Sequence, residues 1–338
     1  MSFLVVSHRH DLIPFAYRLK NQGSKTELVI CTERFEKAWE GKFDTIIPAR
    51  ETRHLENLGP ALEMARAGEV VVLSDNYKVG DMFQGVETFY GTQRVEEYNA
   101  PTSLLRIGGW WSDGKLQNPH LLVCDLGAWP GGYGPATLGG LTLIRVEGDN
   151  ATTLSEFIEP VLHLLRSKYD FRGLVQVGVT ETASGELSVE GVTLGWPFLQ
   201  AHAYVSELDD FATHLQGEQV CLPQKTVAVV PISLPPWPLR TGVSPEGVEL
   251  KGLTPKQIGQ VFWHDVQLDS EKRTLHSAGL DGLLGVARGA AHNPQLARSK
   301  AVALALTLQV PEKQIRPDFG GAVDTVLAQL EARLGIVV

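Results

Sequence analysis

The feature that most constrains this chain is an alternation, at its start, of short β-branched runs with apolar residues at helical spacing. Phe3 to Val6 reads as a strand, after which Leu12, Phe15, Ala16 and Leu19 recur with helical period. A turn at Gly23 leads to a second strand, Glu27 to Cys31. Thr45 to Ile47, a helical stretch from Leu55 to Ala67 and the apolar run Val70 to Leu73 continue the pattern. Strands separated by helices need right-handed crossovers, and hence a parallel sheet buried on both faces. Residues 1–92 are therefore predicted to form a small doubly wound α/β domain. Ligands bind such sheets beyond the carboxyl ends of the strands. Here those ends carry Ser7-His8-Arg9-His10-Asp11 and Ser74-Asp75-Asn76.

From residue 98 the pattern becomes α+β, with a central domain expected over 98–222 and a C-terminal one over 223–338. Strands are predicted at Ser103 to Ile107, Leu121 to Asp125 and Leu141 to Val146. One amphipathic helix is expected to carry Leu154, Phe157, Ile158, Val161, Leu162 and Leu165 on a single stripe. Leu174 to Thr180 and Leu187 to Val192, separated by Ser184-Gly185, read as a hairpin. A further strand starts near Thr226. Two helices close the chain, the first capped by Asn293 with Pro294 behind it and the second running from Ala322 to Leu334.

Composition narrows the function classes. At 338 residues the chain can bury a core without staples, and its three cysteines, Cys31, Cys124 and Cys221, are too far apart for a CxxC site. No apolar run approaches the ~18 residues of a membrane span. These features predict a cytoplasmic protein with no membrane partner. A net charge of -9 disfavours gross attraction to polyphosphate, although a local basic face would be hidden in the sum.

Several motifs carry possible chemistry. Gly109 to Lys115 has the glycine and lysine spacing of a phosphate loop, but Leu116 replaces the magnesium-binding hydroxyl and Asn118-Pro119 opposes a helix. A hairpin turn at Ser112-Asp113-Gly114 fits better. Trp110 and Trp111 should point to opposite faces of their strand, which leaves at least one open to a ligand unless both pack in the core, the more common outcome for such residues. His8-x-His10 with Asp11 has metal-ligand spacing, yet no second cluster follows downstream, so neither metal nor cofactor is called for. An anion fits the loop better, because it runs into a helix N-terminus and Arg9 adds a bidentate donor. Gly127, Gly131, Gly132, Gly134, Gly139 and Gly140 form a dense stretch behind Asp125, readable as a ligand-lining loop or as an irregular connection. His264-Asp265, His276 and His292 are isolated imidazoles.

Taken together, these stretches resemble phosphoribosylamine–glycine ligase, an ATP-grasp enzyme also called glycinamide ribonucleotide synthetase. Its opening Gly-Gly-Arg-Glu-His loop is similar to Ser7-His8-Arg9-His10-Asp11. Its Asp-Thr-Gly-Pro-Asn-Thr-Gly-Gly-Met-Gly loop is similar to Asp125-Leu-Gly127-Ala-Trp129-Pro-Gly131-Gly132-Tyr-Gly134. Arg240-Thr-Gly242 and Arg316-Pro-Asp318-Phe-Gly320 resemble its Arg-Thr-Gly and Arg-Lys-Asp-Ile-Gly elements, and Gly195-Trp196-Pro197 its Gly-Asp-Pro. The resemblance implies an ATP-grasp-ligase-like α/β fold. Between Gly91 and Ser103, however, only about ten residues stand where that family carries its ATP-binding subdomain. The family's metal-binding Glu-Phe-Asn-x-Arg becomes Val189-Glu190-Gly-Val-Thr193, which keeps one carboxylate out of register.

A ligase-like cleft without its ATP subdomain suggests an acceptor that arrives already activated. The expectation is a transferase joining glycine to 5-phosphomethyl-deoxyuridine in double-stranded DNA without ATP, analogous in chemistry to the phage amino acid:DNA transferases of thymidine hypermodification. His8 and Arg9 would hold the phosphate, and His10 or Asp11 would deprotonate the amine, with Asp125 as alternative base or amine anchor. Gly131, Gly132 and Gly134 would line the amino acid, with Glu190 as a further substrate contact. Arg240, Arg288 and Arg316 would meet the nucleic-acid backbone or the glycine carboxylate. Trp110, Trp111 or Trp129 would fill the gap left by a flipped base. The alternative is a degenerate ligase kept as a metabolite-binding or regulatory module.

Overall fold

A computed structural model describes residues 1–8, 11–30, 45–48, 58–217, 222, 225–239, 244–269 and 272–338. The first sheet holds β1 (Ser2–Ser7), β2 (Lys25–Ile30), β3 (Thr45–Pro48), β4 (Val70–Ser74) and β5 (Phe89–Gly91), in the order β3-β2-β1-β4-β5. Every pairing is parallel. The period of two in β1 explains why both faces are covered. Phe3 and Val5 face α1 (Ile13–Asn21) through Leu12, Phe15 and Leu19, whereas Leu4 and Val6 face the layer of Ala65 and Val79. That second layer is built by α2 (Gly59–Arg66) and α3 (Tyr77–Met82). The sheet order reverses between β1 and β4, which makes their carboxyl ends the topological switch point.

The second sheet is antiparallel and takes its strands from the rest of the chain. It comprises β6 (Leu105–Ser112), β7 (Lys115–Gly127), β8 (Ala136–Arg145), β9 (Gly173–Glu181), β10 (Leu187–Gly195), β11 (Thr226–Ser233), β13 (Val261–Trp263) and β16 (Leu283–Ala291). Their order is β10-β9-β6-β7-β8-β11-β16-β13, so segments expected as central and C-terminal domains contribute to one sheet. A small sheet joins β12 (Glu246–Leu250), β15 (Thr274–Ala278) and β14 (Val266–Asp269). Along β7, Leu122 and Cys124 face the first sheet's core while Leu121 and Val123 face the opposite side. The first face is covered by α6 (Phe198–Ser206), with α7 (Phe211–His214) beside it. The other is covered by α4 (Gly148–Phe157), α5 (Glu159–Lys168) and α10 (Val323–Leu334), while α9 (Pro294–Thr307) packs on β11 and β16. A single-turn helix, α8 (Pro255–Ile258), precedes β13.

The hairpin reading of Ser112-Asp113-Gly114 holds. Asp113 and Gly114 have φ of 53° and 71°, and Ser112 pairs with Lys115 across the turn. Asn293 caps α9 by accepting from the Leu296 N–H at 2.8 Å. The single helix expected over 154–165 is instead two. Pro160 has no N–H for the carbonyl of Glu156, and the chain breaks at Ile158 (φ -96°, ψ 11°). The stripe survives the break, since Leu154, Ile158, Val161, Leu162 and Leu165 all enter one core. Among the described residues no helix is long and apolar enough to cross a membrane.

Candidate functional site

At the switch point the end of β1 is tied to the end of β4. Ser7 Oγ donates to Asp75 Oδ2 at 2.9 Å, and the His8 N–H donates to Asp75 Oδ1 at 2.5 Å. The Leu12 N–H donates in turn to Ser7 Oγ at 3.3 Å, so the start of α1 belongs to the same network. On the β4 side, Asn76 caps α3 by accepting from the Lys78 N–H at 2.9 Å. Desolvation, and after it the negative charge of Asp11, push the Asp75 carboxyl up to about 7. A carboxyl poised there can accept a proton at neutral pH, the requirement for a general base. Sequence reasoning placed Asp75 at a strand end without giving it a role. The signal that could have found it was its position on β4 beside β1.

The described part of this loop presents carboxylates, Asp11 and Asp75, with His8 exposed beside them. Those two carboxylates suit an amine. Arg9 and His10, expected as phosphate ligand and base, lie outside the described residues, as does Arg240.

The glycine-rich loop leaves β7, makes a short turn over Pro130–Gly132 and returns as β8. Arg316, which the sequence suggested as an external anion contact, is an internal clamp. Its Nη2 lies 3.0 Å from Asp125 Oδ1 and its Nη1 donates to the Gly127 carbonyl at 2.8 Å. The Gly320 N–H donates to Asp125 Oδ2 at 2.5 Å, and the Gly131 N–H to Asp318 Oδ2 at 2.6 Å. Burial raises the Asp125 carboxyl, with Arg316 and the Gly320 N–H opposing. What removes Asp125 from the candidates for a free base is its ion pair with the Arg316 guanidinium, a cationic partner that the described surroundings of Asp75 do not supply.

The glycines are needed chiefly for the loop's approach to itself. A Cβ at Gly127 would lie 2.1 Å from the Gly132 carbonyl oxygen. Gly131, at φ 73°, takes the left-handed conformation that aims its N–H at Asp318. Gly132 and Gly134 are also left-handed, and Gly134 packs against the half-buried Trp129. Tyr133 projects at the tip, 75 % exposed.

The remaining expected residues fall elsewhere. Glu190 accepts from the Thr102 N–H at 3.2 Å, the Ser103 N–H at 2.8 Å and the Thr102 hydroxyl, and so fastens the connection between β5 and β6. Burial opposes the charge on Glu190, but these hydrogen bonds hold its carboxyl below the ordinary range. Trp110 and Trp111 do face opposite sides of β6, but both are buried, in separate cores, so neither can enter a base stack. Arg288 pairs with the buried Glu207. Among the described residues no group of three or more His, Cys, Asp or Glu could hold a metal ion.

No protein-family model and no curated protein matches the chain. Solved structures do. Biotin carboxylase from Campylobacter jejuni, in a complex with β-γ-ATP, shares 11 % identity over 94 % of each chain at a TM-score of 0.54. The biotin carboxylase domain of a thermophilic 2-oxoglutarate carboxylase shares 9 % over 92 % of each, at 0.53. The chain shares the overall fold of these two biotin carboxylase structures. Phosphoribosylamine–glycine ligase from Thermotoga maritima matches at 13 % identity and a TM-score of 0.49, over 94 % of this chain and 100 % of that one; the fold assignment rests on the carboxylases. At these identities the likeness concerns fold alone.

Proposed function

We propose that the protein joins the amine of an amino acid, glycine, to an acceptor already activated as a phosphate ester, with no ATP in the step. The proposed acceptor is 5-phosphomethyl-deoxyuridine in double-stranded DNA. The observation that carries the reading is the connection between β5 and β6. Residues 92–104 cross between the sheets with isolated bridges at Gln93 and Asn99 and with no helix or extended strand. This is where the ligase family that the sequence resembles would carry its ATP-binding subdomain, and its loss would leave activation of the acceptor to a separate reaction.

In this mechanism the glycine ammonium gives a proton to Asp75, which Asp11 and burial keep receptive near neutral pH. The freed nitrogen attacks the methylene carbon, and the carbon–oxygen bond to phosphate breaks, releasing inorganic phosphate. Rate comes from holding the two reactants in line. His8 and Arg9 remain the proposed phosphate contacts. Trp129 and Tyr133, beside the glycine loop, are proposed to occupy the gap left by the flipped base. Incubation with glycine and duplex DNA carrying the phosphomethylated base, with and without ATP and magnesium, followed by nucleoside mass spectrometry, tests the reading. A glycine adduct formed equally well without ATP is expected; an adduct that requires ATP overturns it.

One observation favours a second reading, a binding module for glycine or a phosphorylated metabolite. Asp125 and Arg316 are spent on each other, so the loop most similar to the ligase family acts as scaffold. Calorimetric binding of glycine, with no adduct under any condition, would favour that module.

A further inference from the structure

A cleft of about 620 Å³ lies between α1 and the strands β13 to β15, and neither the switch-point cluster nor the glycine loop lines it. Its described walls are largely apolar and aromatic, with Tyr17 from α1 facing Phe262, Trp263, Leu268 and Leu275. These walls are held in place. Phe262 packs edge-on against Phe15, with centroids 5.7 Å apart, and Trp263 Nε1 donates to the Ile258 carbonyl at 3.1 Å. The volume falls within the range typical of small-molecule sites, roughly 300–1,000 Å³.

The charged residues among the described lining are two arginines, Arg18 and Arg288. Arg18 donates to the Leu208 carbonyl, and Arg288 pairs with Glu207, whose side chain is 1 % exposed. Glu207 is therefore one buried carboxylate beside two guanidinium groups. Arg288 Nε and Glu207 Oε2 are both buried without a hydrogen-bond partner among the described residues, so this wall holds an unused donor and an unused acceptor. Asp209 and Asp210 also act on Arg18, but neither lines the cleft. An apolar slot with cations fixed at one wall is complementary to a molecule with a flat hydrophobic body and a carboxylate head.

We propose that this cleft is a second ligand site, selective for a small aromatic or acyl carboxylate whose body lies between Tyr17 and the Phe262–Trp263 wall and whose head meets Arg18 and Arg288. It stands independently of the transfer reaction proposed above. Calorimetric titration of the full chain with 2-naphthoate and with its neutral counterpart 2-naphthamide tests it. Saturable one-to-one binding of naphthoate is expected, at least about tenfold tighter than the amide, the ratio that a difference of ~1.4 kcal/mol produces. Arg18→Gln keeps a donor for Leu208 but removes the charge, and should bring the two affinities together. Leu268→Asp, at a position 44 % exposed where the fold tolerates a charge, should weaken naphthoate by about tenfold or more. The double variant Glu207→Gln/Arg288→Gln removes the ion pair without stranding a buried charge, and should also lose the preference for the anion. The proposal fails if naphthoate does not bind, if the amide binds equally well, or if Leu268→Asp binds as the unaltered protein does.

Discussion

Asp125, near the end of β7, and Arg316, ahead of α10, form an ion pair of 3.0 Å with side chains 6 % and 10 % exposed. The same guanidinium reaches the Gly127 carbonyl, so one side chain closes the base of the glycine loop. The loop's shape is thus set by a segment distant in sequence.

Breaking this pair from one side should be costly. Arg316→Met leaves a buried carboxylate without its cation, for which a loss of about 3 kcal/mol is expected. The double variant Asp125→Asn/Arg316→Met should recover part of that loss, and urea denaturation of the four proteins measures the coupling. Additive losses would show that the two groups act independently.

Gly127→Ala tests whether the loop needs backbone contact rather than mere flexibility. The added methyl would sit 2.1 Å from the Gly132 carbonyl, so the loop must shift, at an expected cost of about 2 kcal/mol. Gly114→Ala has open space around its Cβ and feels only the strain of its φ of 71°. Its thermal shift should be the smaller of the two.

The raised Asp75 carboxyl makes stability depend on pH in a defined direction. Its folded value of about 7 lies above its ordinary 3.8, so the folded protein binds the proton more tightly. This contribution is fully present below 3.8 and is lost as pH rises through about 7. Asp75→Asn should therefore melt at a higher temperature than the unaltered protein above neutral pH, and the gap should close under acid conditions. A gap that widens on acidification would reverse the assignment.

If Asp75 is the base, the rate of amine transfer should rise with pH to a plateau, with an inflection near 7. Asp11→Asn removes the neighbouring negative charge and should move that inflection to lower pH. Asp75→Asn should lower the rate by about a hundredfold or more, the lower end of what general bases contribute.

If DNA is the acceptor, its binding should weaken as salt rises, with a logarithmic slope of roughly -0.9 per neutralised phosphate. Titrations of labelled duplex at several salt concentrations read this slope directly. A slope near zero would count against the nucleic-acid surface.

Local regularities in the sequence were enough to place β1, α1, β4, the β9–β10 hairpin, the turn at Asp113-Gly114 and the Asn293 cap. Each depends on residues only a few positions apart, through side-chain alternation, helical period or cap chemistry. The break before α5 was missed, because the apolar stripe runs on through Pro160 and masks the interruption that the proline makes in the backbone hydrogen bonds. Trp110 and Trp111 were placed correctly on opposite faces, but their burial depended on what covers each face. Tyr204 and His214 lie against Trp110, while Trp111 joins the core beneath α4, α5 and α10.

By itself, then, the sequence determined part of the secondary structure, the parallel character of the first sheet and the residues at its strand ends, because these follow from short-range spacing. Tertiary structure alone decided what those residues do. Asp75 becomes a candidate base because the sheet order brings β4 beside β1, and Asp125 ceases to be one because Arg316 reaches it from the far end of the chain. A charge's chemistry depends on burial and on its nearest opposite or like charge, and long-range chain topology sets both.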